Sequence, residues 1–277
     1  MYSRSRVLIQ LSLYEIKKNI RRFIVLALFI LSILFIFGSI AIILFFQMSA
    51  STFNMPQSLF GKYEWFYVIS MPGFFIGLMG IAIGGGLFSS EYEDRTSYVL
   101  YTKPLTRLDI FLGKFIGGYL LTAVLTLVYA VIGVLSSLVI FGDLDGSHAI
   151  IPVILSMIYS QLLFFSISYM FSQLTKRTLI SIVICVALII FLPIIQSMLI
   201  IFSSLLNLKY LKYVIYLLPT WANQLPTYVA MDLLPDLMPT QPIMSDSRIA
   251  ILCILGYFIL TTVITVISIY RSDLVKD

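Results

Sequence analysis

The chain has 277 residues, 60% of them apolar and 11% charged, with 18 Lys and Arg against 13 Asp and Glu, and a mean hydropathy of +1.02. A soluble domain carries about 45–50% apolar residues, so a water-soluble enzyme is excluded and the fold class expected is an all-α membrane protein, a single domain over 1–277. The surplus of basic residues is assigned to lipid headgroups beside the spans, not to nucleic acid.

A bilayer core about 30 Å thick requires about 17–25 apolar residues per helix. Runs of that kind fall at about 23–46, 72–88, 115–141, 151–171, 179–202 and 249–270, and none contains Asp, Glu, Lys, Arg or His. Residues 1–22 come first and are too charged for a secretory signal, so the first span is expected to be an uncleaved anchor. Ile9, Leu13, Ile16 and Ile20 recur at helical spacing, with Glu15, Lys18 and Arg22 opposite. That pattern predicts an amphipathic helix lying in the interface, its basic residues near anionic headgroups.

Between the second and third spans, residues 89–114 hold four acidic and four basic side chains flanked by uncharged apolar runs. Glu91, Glu93 and Asp94 are expected to stop the second span at water, and the half-apolar stretch 96–102 to lie along the interface. Pro104 then breaks the chain, because a proline restricts the residue before it. Thr106 with Asp109 three residues on is a capping-box pattern that starts the next helix. Upstream, Gly84, Gly85 and Gly86 permit close packing or bending, and Pro193 favours a kink in the fifth span.

Basic residues near span ends stay in the cytoplasm. With the N-terminus inside, Lys62, Lys209, Lys212 and Arg248 alone of the 18 basic residues lie outside, which puts both termini and 89–114 in the cytoplasm of a multi-pass protein of the cell membrane. Trp65 and Trp221 then fall in outer segments, at the headgroup level that suits their rings. Cys185 and Cys253 lie at different depths and are read as small apolar residues rather than a disulfide. His148, beside Asp143 and Asp145, is read as a loop residue and not a metal ligand.

No nucleophile with a base, no H-E-x-x-H and no phosphate-binding G-x-x-x-x-G-K-[ST] occurs, so no catalytic, cofactor or metal site is expected in this chain. Spans without ionisable groups weaken an ion-coupled transporter. Any energy for transport is expected to enter through a partner at the polar segment.

The run from Glu91 to Lys114 resembles the signature of type-2 ABC exporter permeases, in which E-x-E-x-G-T leads through apolar residues to P-L/I-S/T-R and then G-K. The matching positions are Glu91, Glu93, Thr96, Leu100, Pro104, Leu105, Thr106, Arg107, Gly113 and Lys114, and the departure is Arg95, where the family usually has glycine. The signature spans a small part of the chain, but the layout of six spans, an N-terminal helix and a long outer segment fits as well. The resemblance implies that a coupling helix at about 91–102 seats in a separate nucleotide-binding ATPase, and that Glu91, Glu93, Arg95, Thr96, Lys103, Pro104, Arg107, Gly113 and Lys114 form the coupling segment. It implies that ATP and Mg are held by that partner, with two ATPases and a second permease copy or paralogue. It also implies that part of the outer segment 203–248, with Pro219 after an apolar helical run, folds back into the membrane.

Tyr119, Thr122, Thr126, Gln161, Gln196 and Ser197 are expected along a pathway for hydrophobic or amphipathic cargo such as a lipid, drug or peptide, although such residues also join membrane helices by hydrogen bonds. The alternative function is a non-transporting membrane scaffold or assembly factor that docks a cytoplasmic partner.

Overall fold

The computed structural model describes residues 4–21, 23–53, 63–70, 73–94, 106–142, 144–205, 209–234 and 246–271. Among them every regular element is helical: α1 (Arg4–Ile20), α2 (Phe23–Phe53), α3 (Glu64–Ser70), α4 (Gly73–Gly86), α5 (Ser89–Glu93), α6 (Arg107–Phe141), a 3-10 turn (Ser147–Ala149), α7 (Ile150–Thr175), α8 (Thr178–Leu205), α9 (Lys209–Tyr216), α10 (Pro219–Asn223), α11 (Leu225–Leu233) and α12 (Ser247–Arg271). Six stretches are long and apolar enough to cross a membrane, the second being Glu64–Gly86, which takes in α3 and α4. A helix closes its own backbone hydrogen bonds, the condition for a segment in lipid.

α4 and α7 form the enclosed centre, while α2, α6, α8 and α12 turn much of their apolar surface outward. Lipid supplies no hydrophobic drive between helices, so close packing must hold the bundle together. A Cβ on Gly84 would stand 2.8 Å from the Phe165 carbonyl oxygen, and the Ser168 hydroxyl donates to the Ile81 carbonyl at 2.7 Å. Where α4, α6 and α7 meet, Phe88, Phe111, Phe115, Phe165 and Tyr169 interleave with centroid separations of 5.0–6.2 Å.

The structure orients α1 and corrects two sequence expectations. The apolar stripe of α1 faces away from the protein, with Ile9 60% and Leu13 59% exposed, whereas Ser12, Glu15 and Asn19 are buried against α6. In a lipid setting the polar face of a helix gains by turning inward to partners. Glu91 does not end a span at water: it is 6% exposed. Trp65 and Trp221 are buried in the fold rather than set on its surface. The Trp65 indole donates to the Asp145 carbonyl at 2.8 Å, the partner a buried N–H requires, and Trp221 packs between Tyr216 and Tyr228.

α9 to α11 follow α8 and pack against α7, α8 and α12. Pro219 opens α10 at a position where its missing N–H costs nothing. The Tyr257 hydroxyl donates to the Leu217 carbonyl, and the Thr220 hydroxyl to Gln196 Oε1 at 2.7 Å. At about 1.5 Å per residue, Tyr257 and Gln196 each lie roughly 14–15 Å inside their own helices from the ends nearest this layer.

Candidate functional site

The second span does not run unbroken into α5. Helix α4 stops at Gly86, Leu87 and Phe88 form a turn, and α5 resumes at Ser89. Such a break strands backbone groups that must find partners. The N–H groups of Phe88 and Ser89 both donate to the Ser172 hydroxyl at 3.0 Å, and the Leu87 carbonyl accepts from Lys114 Nζ at 2.8 Å.

Lys114 is fully buried on the first third of α6. Its ammonium lies 2.5 Å from Glu91 Oε1 and 3.0 Å from Glu15 Oε1, so with the Leu87 carbonyl its three protons are all taken. Its charge also stands 5.3 Å from the Phe88 ring centroid. Lys18 adds a second cation, 3.8 Å from Glu91 Oε1 and 3.2 Å from the Ser90 hydroxyl. Asn19 Nδ2 donates to Glu15 Oε2 at 3.3 Å, while its own Oδ1 is buried without a partner among the described residues. Two carboxylates and two ammonium groups thus share one site, buried at Lys114, Glu15 and Glu91 and partly exposed at Lys18. Such a group is tolerated only when every charge is matched, and removing one leaves the rest exposed to a heavy desolvation cost.

The approach of α1 that brings Glu15 here depends on glycine. A Cβ on Gly117 would stand 2.7 Å from the Ser12 carbonyl oxygen and 2.9 Å from Ser12 Cα, and one on Gly113 would collide with the Leu11 side chain. The Ser12 hydroxyl closes the seam by donating to the Gly113 carbonyl at 3.0 Å.

Two further charges fasten neighbouring helices. Glu93 accepts from the Thr178 N–H at 2.9 Å and its hydroxyl at 2.7 Å, capping α8 with a carboxylate where the helix dipole favours one. Arg107 Nη1 donates to the Ile269 and Tyr270 carbonyls at 3.0 and 3.3 Å, capping the far end of α12. The Thr106–Asp109 box forms as expected: Thr106 Oγ1 accepts from the Asp109 N–H at 3.2 Å and donates to Asp109 Oδ2 at 2.5 Å. Arg95, Thr96, Leu100, Lys103, Pro104 and Leu105 lie outside the described residues.

The proposed pathway residues do not share one surface. Thr122 and Thr126 are buried and donate to carbonyls one turn back on α6, at 3.0 and 2.9 Å. Tyr119 reaches the Ile158 carbonyl at 3.0 Å, and Ser197 is exposed and bonds back to Pro193 at 2.8 Å. Gln196 holds Thr220, and Gln161 lines a cavity of about 330 Å³ among α3, α4, α7, α8, α10 and α11. Among the described residues no three His, Cys, Asp or Glu side chains gather as a metal site. Both cysteines are free, and His148 is exposed.

Ser12, Glu15, Asn19, Gly117 and Ser172 were not singled out from the sequence as site residues. The available signal was a lone acidic residue in an otherwise basic helix, in register with Ser12 and Asn19.

The fold and this fastening define a helical, multi-pass membrane subunit whose helices are tied together by charged side chains at one end. A profile of ABC-2 family transporter proteins matches residues 9–274, nearly the full chain. The protein belongs to that family and is the membrane-spanning permease component of an ABC transporter. A comparison with curated proteins returned no match.

Proposed function

We propose that this permease serves an ATP-driven exporter that moves a hydrophobic or amphipathic substrate outward. Mg-ATP is hydrolysed on a separate ATPase, two copies of which engage two permeases through the coupling segment at about 91–102 on the cytoplasmic side of the cell membrane. The observation that carries this reading is that both flanks of 95–105 are fastened to the bundle. Upstream, Glu91 joins Lys114 and Lys18, and Glu93 caps α8; downstream, Arg107 caps α12 and Lys114 closes the cluster with Glu15. A displacement of the segment therefore acts on α1, α4, α6, α8 and α12 together. Packed helices joined by hydrogen bonds and ion pairs are one route by which distant sites couple.

α8 gives the network reach. It starts at the Glu93 contact and carries Pro193, which lines the cavity, fifteen residues on, about 23 Å along the helix axis at 1.5 Å per residue. The proline removes one backbone bond and gives the helix a place to bend. The depth at which α9 to α11 meet Tyr257 and Gln196 supports a re-entrant outer layer, and the outward apolar face of α1 supports its lying in the inner interface.

The test is Glu91→Ala in the permease purified with its ATPase. Loss of one member of a buried pair costs about 3–5 kcal/mol, so cargo moved per ATP should fall sharply while membrane insertion persists. Asp94→Ala, at an exposed site, should change little, since exposed pairs contribute about 0–1 kcal/mol. Unchanged coupling and unchanged ATPase association in Glu91→Ala would overturn the role given to the cluster. Failure of any subunit with a phosphate-binding loop to co-purify would favour the scaffold alternative.

A further inference from the structure

The cavity among α3, α4, α7, α8, α10 and α11 has no Asp, Glu, Lys, Arg or His among its lining residues. Its apolar lining includes Phe66, Met157, Phe164 and Ile189. Among them it presents Gln161, Asn223 and Thr227, whose side-chain polar groups have no hydrogen-bond partner among the described residues. Gln161 is the decisive one. It is 94% buried, being 6% exposed, and it sits against Gly80, whose added Cβ would stand 3.2 Å from Gln161 Oε1. Its carboxamide is therefore open to pairing with a ligand group, worth one hydrogen bond, and its neighbours are engaged elsewhere: Ser160 bonds Met157 and Thr220 bonds Gln196. Phe74 lines the cavity and is also exposed, which marks the mouth.

We propose that this cavity binds, within one chain, an uncharged amphiphile whose polar part carries hydroxyl or amide groups that pair with the Gln161 carboxamide. A volume of about 330 Å³ lies at the lower end of small-ligand sites, enough for a headgroup and the start of its chain. The absence of charge in the lining disfavours ionic ligands, because a charge would give up water there without gaining an ion pair. The proposal deepens the transport reading and rests on it only for the ligand's role as cargo.

The experiment measures equilibrium binding of radiolabelled 1-monooleoylglycerol to the purified full chain in phosphatidylcholine nanodiscs, with oleate and oleylamine as charged counterparts. Saturable binding of the neutral probe, competed weakly by either charged one, is expected. Gln161→Leu should weaken it about tenfold, the loss of one buried hydrogen bond, while Gln161→Asn retains part of the affinity. Ile189→Trp fills the cavity from its apolar lining and should also block the probe, which guards against a Gln161 variant that merely misfolds. No saturable binding, or equal affinity in wild type and Gln161→Leu at matched thermal stability, overturns the site.

Native mass spectrometry separates two sources of the ligand. A resident lipid stays with the wild type and is lost from Gln161→Leu; cargo leaves both forms empty yet still competes with the probe. Binding that never alters ATP turnover of the assembled transporter keeps the site and removes the cargo role. A coupled exporter that binds no probe keeps the transport reading and removes the site.

Discussion

Lys114 spends all three of its protons on Glu15, Glu91 and the Leu87 carbonyl, so its removal leaves the buried Glu15 without its cation and Glu91 with only Lys18, 3.8 Å away. Lys114→Met should therefore lower the melting temperature in detergent strongly, in line with about 3–5 kcal/mol for a broken buried pair. The triple variant Lys114→Met, Glu15→Gln, Glu91→Gln should recover most of that loss, because it removes the mismatch along with the attraction; additive losses would mean the residues do not act as a unit. Arg107 differs in kind. Among the described residues only Nη1 is engaged, and by two carbonyls, so Arg107→Lys should retain coupling and Arg107→Ala should lose it; loss in both would require a geometry specific to guanidinium. The Thr106–Asp109 cap was legible in the sequence because a capping box is local, needing three residues of spacing and nothing else. The Glu15–Lys114 pair was not, since ninety-nine positions separate them and no local rule links the two.

At the scale of elements, α1 and α6 meet through glycine. Gly117→Ala should be worse than Gly113→Ala, because the new methyl meets the Ser12 backbone in the first case and a rotatable Leu11 side chain in the second. Overpacking of this kind costs about 1–3 kcal/mol, and thermal melts of the two variants should rank accordingly; equal melts would mean that α1 shifts freely along α6. Periodicity identified α1 as a helix with two faces, but it does not say which medium each face meets. In water the apolar face turns inward; here Ile9 and Leu13 point out and Ser12, Glu15 and Asn19 point in, since lipid suits the apolar face and the protein alone offers partners to the polar one. The break after Gly86 was foreshadowed by three consecutive glycines, while its repair by Ser172 and Lys114 depends on the packing of three helices.

For the whole molecule, the six spans were legible because a lipid core demands long uncharged runs, and few other settings do. The distribution of Lys and Arg predicts an orientation that labelling tests. Ser147 and Arg177 are exposed at opposite ends of α7, a helix of 26 residues and so about 39 Å long at 1.5 Å per residue, more than the bilayer core. In a variant with both native cysteines replaced, Ser147→Cys should react with an impermeant thiol reagent on intact cells, and Arg177→Cys only after the membrane is opened; the reverse pattern would invert the topology. The buried tryptophans carry one more consequence. The chain has two, one in each of its hydrophobic clusters, both almost wholly enclosed. Intrinsic fluorescence of this protein therefore reports on its interior rather than on surrounding lipid, and replacing either indole by phenylalanine turns the other into a private gauge of one half of the bundle.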